Sequence, residues 1–191
     1  MDDHRPASAP HPSHSSHPPH VPSPPGEDPA RLAALHGLRP LPVEGGLFRQ
    51  TWAGPPDASG RPSGTAIMML LTAAPDDFSA VHRLPTDEIW HFYRGDPLEL
   101  LLLFPDGGDE LVLLGGPETC QTVVPSGTWM GARVAPGGRW SLFGTTMAPG
   151  FLPSDYEGGD PAELADRHPA RADLIRALSR PGAALRMPEA Q

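Results

Sequence analysis

Lysine is absent from this chain, and all fourteen basic residues are arginine. Against them stand 23 acidic residues, for a formal net charge of −9, with no basic stripe or run. Nucleic acids and anionic membranes are therefore not expected as partners. No apolar run of about 18 residues occurs, which excludes a transmembrane helix. The opening MDDHRPASAP has neither a basic nor an apolar leader segment, so no secretory signal is read there. Cysteine is nearly missing. Cys120 alone rules out an internal disulfide framework and fits a reducing, cytoplasmic setting. It sits in an apolar strand-like stretch without an adjacent base, and reads as a structural thiol rather than a nucleophile. Long polar segments of helical period are also scarce. The 27 prolines and 21 glycines among 191 residues favour strands and turns over a helical bundle.

What is present is punctuated by proline and glycine. Met1 to Pro25 holds eight prolines and five histidines, and beyond the start Val21 is its only apolar residue larger than alanine. That stretch cannot bury enough surface to offset its ordering entropy, so residues 1–27 are expected to be a disordered tail. His11, His14, His17 and His20 recur in it every third residue and would line one edge of a polyproline II helix. A solvated linker is the simpler reading. One folded domain is expected over 28–180, with 181–191 a flexible end. Asp28 can cap a helix over 29–36, with Pro29 at its first position and Gly37 past its end. Strand candidates follow at 47–52, 64–72, 78–83, 87–93, 97–104, 109–114, 119–124, 128–134 and 139–147, a spacing that predicts a sandwich or barrel. Asp160-Pro161 opens a second helix, and Pro169 breaks it before a third that runs to about Leu178.

Two of these strands, Thr65–Thr72 and Leu98–Phe104, carry apolar residues on both faces. A strand with one wet face would alternate instead. Their second face is therefore expected to be covered by the terminal helices or by a second subunit, with a sheet-to-sheet homodimer favoured. In 78–84 the alternation places Phe78, Ala80, His82 and Leu84 on one face. In the next strand Glu88, Trp90 and Phe92 share a face, opposite Asp87, Ile89, His91 and Tyr93. A glutamate among aromatic residues must be paired, protonated or turned to a wet cavity. An ion pair with Arg49 or Arg83 would satisfy it as well. Arg94-Gly95-Asp96 is read as a chance tripeptide.

His82-Arg83-Leu84, three residues, Glu88, six residues and Gly95 resemble the first cupin motif, G-x5-H-x-H-x3,4-E-x6-G. Pro125-Ser126-Gly127-Thr128-Trp129-Met130 is similar to the core of the second, P-x-G-x2-H. The segments PVEGGLFRQTW, TAIMMLL, FSAVHRL, DEIWHFYRGDPLEL, VVPSGTWMGARV and APGF resemble the cupin-5 family, long catalogued as a domain of unknown function. The resemblance runs from about Leu38 to Leu178. It implies a mainly β fold, the double-stranded β-helix or jelly-roll barrel, with short helices at both ends. It also implies a barrel pocket and a common dimeric state, and no established reaction.

The departures from the motif shape the site. A metal-binding cupin supplies three histidines and one glutamate. Here His82 and Glu88 match, while Leu84 and Met130 stand at the second and third histidine positions. Leucine cannot ligate, and a thioether suits the usual ions poorly. Unless Glu44 or His91 substitutes, two ligands are too few for a catalytic metal. No metal and no cofactor are therefore expected. His82 and Glu88 are expected as the acid–base or hydrogen-bonding pair of the pocket. Glu44 (beside Gly45-Gly46, at the barrel mouth), Arg49, Trp90, Phe92 and Met130 are expected to contact the ligand. Trp129 is opposite Met130 and should pack. The functions that follow are binding of a small polar or sugar-like molecule, a metal-independent isomerase or epimerase with His82 as general base and Glu88 as its partner, or a structural or storage dimer.

Overall fold

The computed structural model describes residues 27–188, so the reading of the histidine-rich tail lies outside the described residues. The chain enters through helix α1, Pro29–His36. The Asp28 side chain accepts from the Ala30 amide at 2.9 Å, and Gly37 closes the helix in the left-handed region at φ 62°. Both ends use the residues that helix capping demands.

Eleven strands follow among the described residues: β1 Arg39–Pro40, β2 Leu47–Ala53, β3 Thr65–Thr72, β4 Ser79–Arg83, β5 Glu88–Gly95, β6 Leu98–Leu103, β7 Asp109–Leu114, β8 Gln121–Val124, β9 Trp129–Val134, β10 Trp140–Met147 and β11 Glu157–Gly158. All nine predicted strands form. β1 and β11 are two-residue additions. The strands make two antiparallel sheets, in the orders β1-β2-β3-β10-β5-β8 and β11-β4-β9-β6-β7. Non-consecutive neighbours in both sheets are the crossovers of a jelly roll, and the fold is mainly β as expected. No helix among the described residues is long and apolar enough to cross a membrane.

The main core lies between the sheets. Leu71, Trp90, Leu100, Leu102, Leu114 and Phe143 are its fully enclosed members. Each such side chain contributes roughly 1.5–3 kcal/mol of burial. The doubly apolar strands are explained by what covers their outer faces. Leu32 of α1 packs on Leu70, Trp140 and Leu142. Helices α2 (Pro161–Arg167) and α3 (Ala172–Ala177) lie over β6, where Leu164, Ile175 and Leu178 enclose Leu101 and Leu103. The terminal helices cover these strands. Asp160 caps α2 by accepting from the Ala162 and Glu163 amides. At Pro169 the chain makes a 3-10 turn before α3.

Two expectations, on the face of β4 and on Cys120, are corrected. Phe78 and Ala80 do not share a face with His82 and Leu84, because β4 slips register against β9 between Ser79 and His82. Phe78, Ala80 and Val81 turn outward to the helices, while His82 and Leu84 turn into the barrel. A bulge of this kind re-aims a side chain by breaking the strand's alternation. Cys120 is exposed, since β8 begins only at Gln121. Asp96 of the Arg-Gly-Asp tripeptide is buried and accepts from the amides of Arg139 and Trp140, a structural role. Residues of the C-terminal segment touch the barrel. Leu185 accepts from the Gly158 amide at 2.8 Å, and Met187 and Pro188 reach the cavity described next.

Candidate functional site

The barrel interior is filled at one end and hollow at the other. The hollow end is a cavity of about 490 Å³. Its walls are largely apolar, with Phe48, Ile67, Leu84, Met147 and Phe151 among them, and Arg39 stands exposed at its rim. Glu44, His82, Glu88, Thr145 and Tyr156 supply the polar groups. Each of these five side chains belongs to a residue less than a tenth exposed. A mostly apolar hollow with a few convergent polar groups is the usual form of a small-molecule site.

The β4 bulge organises two of the titratable groups, Glu44 and His82. Ala80 donates its amide to the Glu44 carbonyl at 2.9 Å and accepts from His82 Nδ1 at 2.7 Å. A carbonyl can only accept, so Nδ1 carries a hydrogen, and the neutral ring keeps its lone pair at Nε2. His82 Nε2 lies 4.0 Å from Glu44 Oε2, beyond hydrogen-bond reach. The other Glu44 oxygen accepts from Ser79 Oγ at 2.8 Å. Glu44 gets its position from a tight turn in which Val43, Gly45 and Gly46 all have positive φ. At Gly45 a Cβ would fall 2.6 Å from the Phe78 carbonyl, so the close approach needs glycine. Arg180 holds this turn from outside by donating to the carbonyls of Glu44, Asp76 and Phe78.

Tyr156 stacks on His82, with ring centroids 5.0 Å apart and planes 17° from parallel. Burial first, and the Glu44 charge second, push its phenol well above the ordinary tyrosine range, so it stays a neutral hydroxyl. Its loop is pinned by Arg61, which makes a two-pronged bond to Asp155 at 2.6 and 2.8 Å.

Glu88 opens β5 and points into the same cavity. Its Oε2 accepts from the Trp90 indole at 2.9 Å. Burial raises its carboxyl above the usual carboxylate range. The His82 charge opposes that rise, Glu44 adds to it, and the Thr145 and Trp90 hydrogen bonds oppose it. Glu88 is thus biased toward the protonated acid, a group able to donate.

Of the residues expected at the site, the structure brings together Glu44, His82 and Glu88. The other four do not line the cavity. Arg49 sits between Phe48 and Gln50, which point in, so it points out, with its stem beside Gly37. Trp90 faces inward as expected but lies in the filled half, stacked on Phe143 at 5.1 Å, and serves by fixing Glu88. Phe92 packs against the main core with its ring over Gly115. Met130 is the register partner of His82 and is buried in that core. His91 and Tyr93 are on the outer face, where His91 bonds Thr146 and Gln121. Trp129 packs beneath Arg83, whose ion pair is with Glu157 rather than Glu88. Ser79, Thr145 and Tyr156 were not anticipated. Only Thr145 left a sign, as a polar residue on the inward face of an otherwise apolar strand.

The donor set does not fit a cupin metal centre. His82 offers one nitrogen, one Glu88 oxygen is engaged by Trp90, Leu84 is an apolar wall and Met130 is turned into the core. Among the described residues no three His, Cys, Asp or Glu side chains are grouped to hold an ion.

A family model described as Cupin superfamily (DUF985) matches residues 30–158. No curated protein matches the chain. Among solved structures, a Shewanella oneidensis protein is 28% identical at a TM-score of 0.70, covering 79% of this chain and 96% of that one. A hypothetical protein from Leishmania major is also 28% identical, at 0.69, covering 78% and 97%. Oxalate decarboxylase from Bacillus subtilis, 16% identical at 0.51, covers 81% of this chain and 39% of that one, a likeness of fold alone. The jelly roll, its motif residues and the extent of the family match lead to one conclusion: this chain belongs to the Cupin_5 (DUF985) family of the cupin superfamily.

Proposed function

We propose that the hollow end of the barrel binds one small polar or sugar-like molecule without a metal ion, and that His82, Glu88 and Glu44 orient it. Four titratable side chains, Glu44, His82, Glu88 and Tyr156, converging nearly buried on one cavity of about 490 Å³ carry this reading. Keeping such groups out of bulk water is costly unless they have a partner. The test is a thermal-shift screen of sugars, nucleotide sugars and carboxylates against the wild type, His82→Ala and Glu88→Ala. A hit should lose its stabilising effect in both variants, and one that survives both places binding elsewhere. Metal is tested by elemental analysis of the chain without residues 1–27, whose histidines would bind ions on their own. Far less than one equivalent per chain is expected, and about one equivalent of Fe, Mn, Ni or Zn contradicts it.

A second reading is favoured by the hydrogen bonding of the pair. With Nδ1 held by Ala80, His82 presents Nε2 to the cavity as a base, while Glu88 is biased toward the acid form. A base and an acid on one cavity suit proton transfer, as in a metal-independent isomerase or epimerase. Turnover of a screened hit, lost in His82→Ala, distinguishes this from binding alone. The same proposal places the chain in the cytoplasm as a homodimer. Trp52, Tyr93 and Val123, each about half exposed on the six-stranded sheet, offer it an apolar face.

A further inference from the structure

We infer that the ligand enters the cavity with an uncharged or cationic hydrogen-bond donor leading, a hydroxyl or an ammonium, and that its head fills the gap between Glu44 Oε2 and His82 Nε2. The inference rests on the binding reading above and narrows its ligand class. The two atoms are 4.0 Å apart, too far to bond each other. Each lies on a side chain that is buried and anchored through its other polar atom, Glu44 to Ser79 Oγ and His82 to the Ala80 carbonyl. Neither can close the gap without giving up its anchor. One ligand atom about 2.8 Å from both would complete it.

The chemistry of the two ends selects that atom. A hydroxyl can accept from a protonated Nε2 while donating to Glu44. An ammonium can donate to both when the ring is neutral. A carboxylate or phosphate would set oxygen against Glu44 Oε2 across the same gap. Among the cavity-lining residues Arg39 is the only arginine, and it stands at the exposed rim over the Phe48 ring. Arg180 is engaged by backbone carbonyls behind the Glu44 turn. No buried arginine therefore waits to receive an anion at the floor. The walls beside the gap are aromatic and aliphatic, from Phe48, Ile67, Phe151 and the face of Tyr156, and suit the body of a compact ring.

The test uses three probes of one size: cyclohexanol, cyclohexylammonium and cyclohexanecarboxylate, titrated into the full chain labelled with ¹³C at its methionine methyls. Met147 and Met187 line the cavity, while Met69 and Met130 are buried in the core away from it. Saturable shifts of the Met147 and Met187 methyls by the alcohol and the ammonium are expected, with none by the carboxylate. Glu44→Gln preserves shape and should weaken the ammonium about tenfold or more, since a bond to a charged partner is lost. A carboxylate that shifts the same methyls at equal or lower concentration overturns the donor-head inference and leaves the binding site standing. If no probe shifts them, both fall. An ammonium whose affinity is unchanged in Glu44→Gln also overturns the inference.

Discussion

At the scale of single residues, Glu88 and His82 are distinguished by what holds them. Burial gives Glu88 a higher pKa in the folded chain than in the unfolded one. The folded state therefore binds that proton more tightly, and stability falls as pH rises from the unfolded carboxyl's range, about 4.3, through the folded value. Glutamine cannot ionise but can still accept from Trp90. Glu88→Gln is accordingly expected to melt higher than the wild type at about pH 8 and no higher at about pH 3, where the carboxyl is protonated in both states. Melting curves across that range check it, and a loss that grows as pH rises would show that Glu88 is held as a carboxylate. Trp90→Phe removes the donor and should cost about 1–3 kcal/mol in chemical denaturation, by leaving a buried acceptor unmet.

At the scale of elements, the site depends on a bulge and a strut. Arg61 lowers the pKa of Asp155, chiefly through its side-chain hydrogen bonds. That stabilisation is present above the unfolded carboxyl's pKa and is lost as pH falls through the folded value. Arg61→Ala should remove it, costing about 2 kcal/mol near neutrality and flattening the acid limb of the stability curve. Because the strut steadies the loop of Tyr156, the same variant should weaken any ligand held beside His82. An unchanged acid limb would contradict this role.

The strands and α1 were legible in the sequence because punctuation by proline and glycine is local, as at Asp28-Pro29 and Gly37. The inward aim of Glu88 was legible from its strand's alternation. The aim of Phe78 and Ala80 was not, since the bulge rests on Ala80 and Val81 donating to the carbonyls of Glu44 and Leu178, both distant in the chain. Arg49 failed on parity, being one residue off the inward positions. Trp90 and Phe92 were placed on the correct face, but a face does not reveal which end of a barrel is hollow. Tyr156 is 74 residues beyond His82, in a loop no periodicity describes, and only the folded chain shows their rings stacked.

At the scale of the whole molecule, two sheets enclose a core that fills only part of the barrel, and the terminal helices take the outer faces of β3, β6 and β10. Among the large apolar residues that stay exposed on the outside, Trp52, Tyr93 and Val123 belong to strands of the six-stranded sheet, whose outer face they would make a homodimer face. If it is the homodimer face, the chain should elute as a dimer in light scattering, and Trp52→Arg with Tyr93→Arg should shift it to monomer while leaving the fold intact. A wild type that stays monomeric at high concentration contradicts that assembly. What stays open on the inside is the cavity, and ligand binding there is the central claim. It is tested most directly by isothermal titration of the screened compound that stabilises the chain most, into wild type, His82→Ala and Glu88→Ala. One site per chain is expected in the wild type, weakened about tenfold or more in each variant. Undiminished affinity in both variants would contradict it.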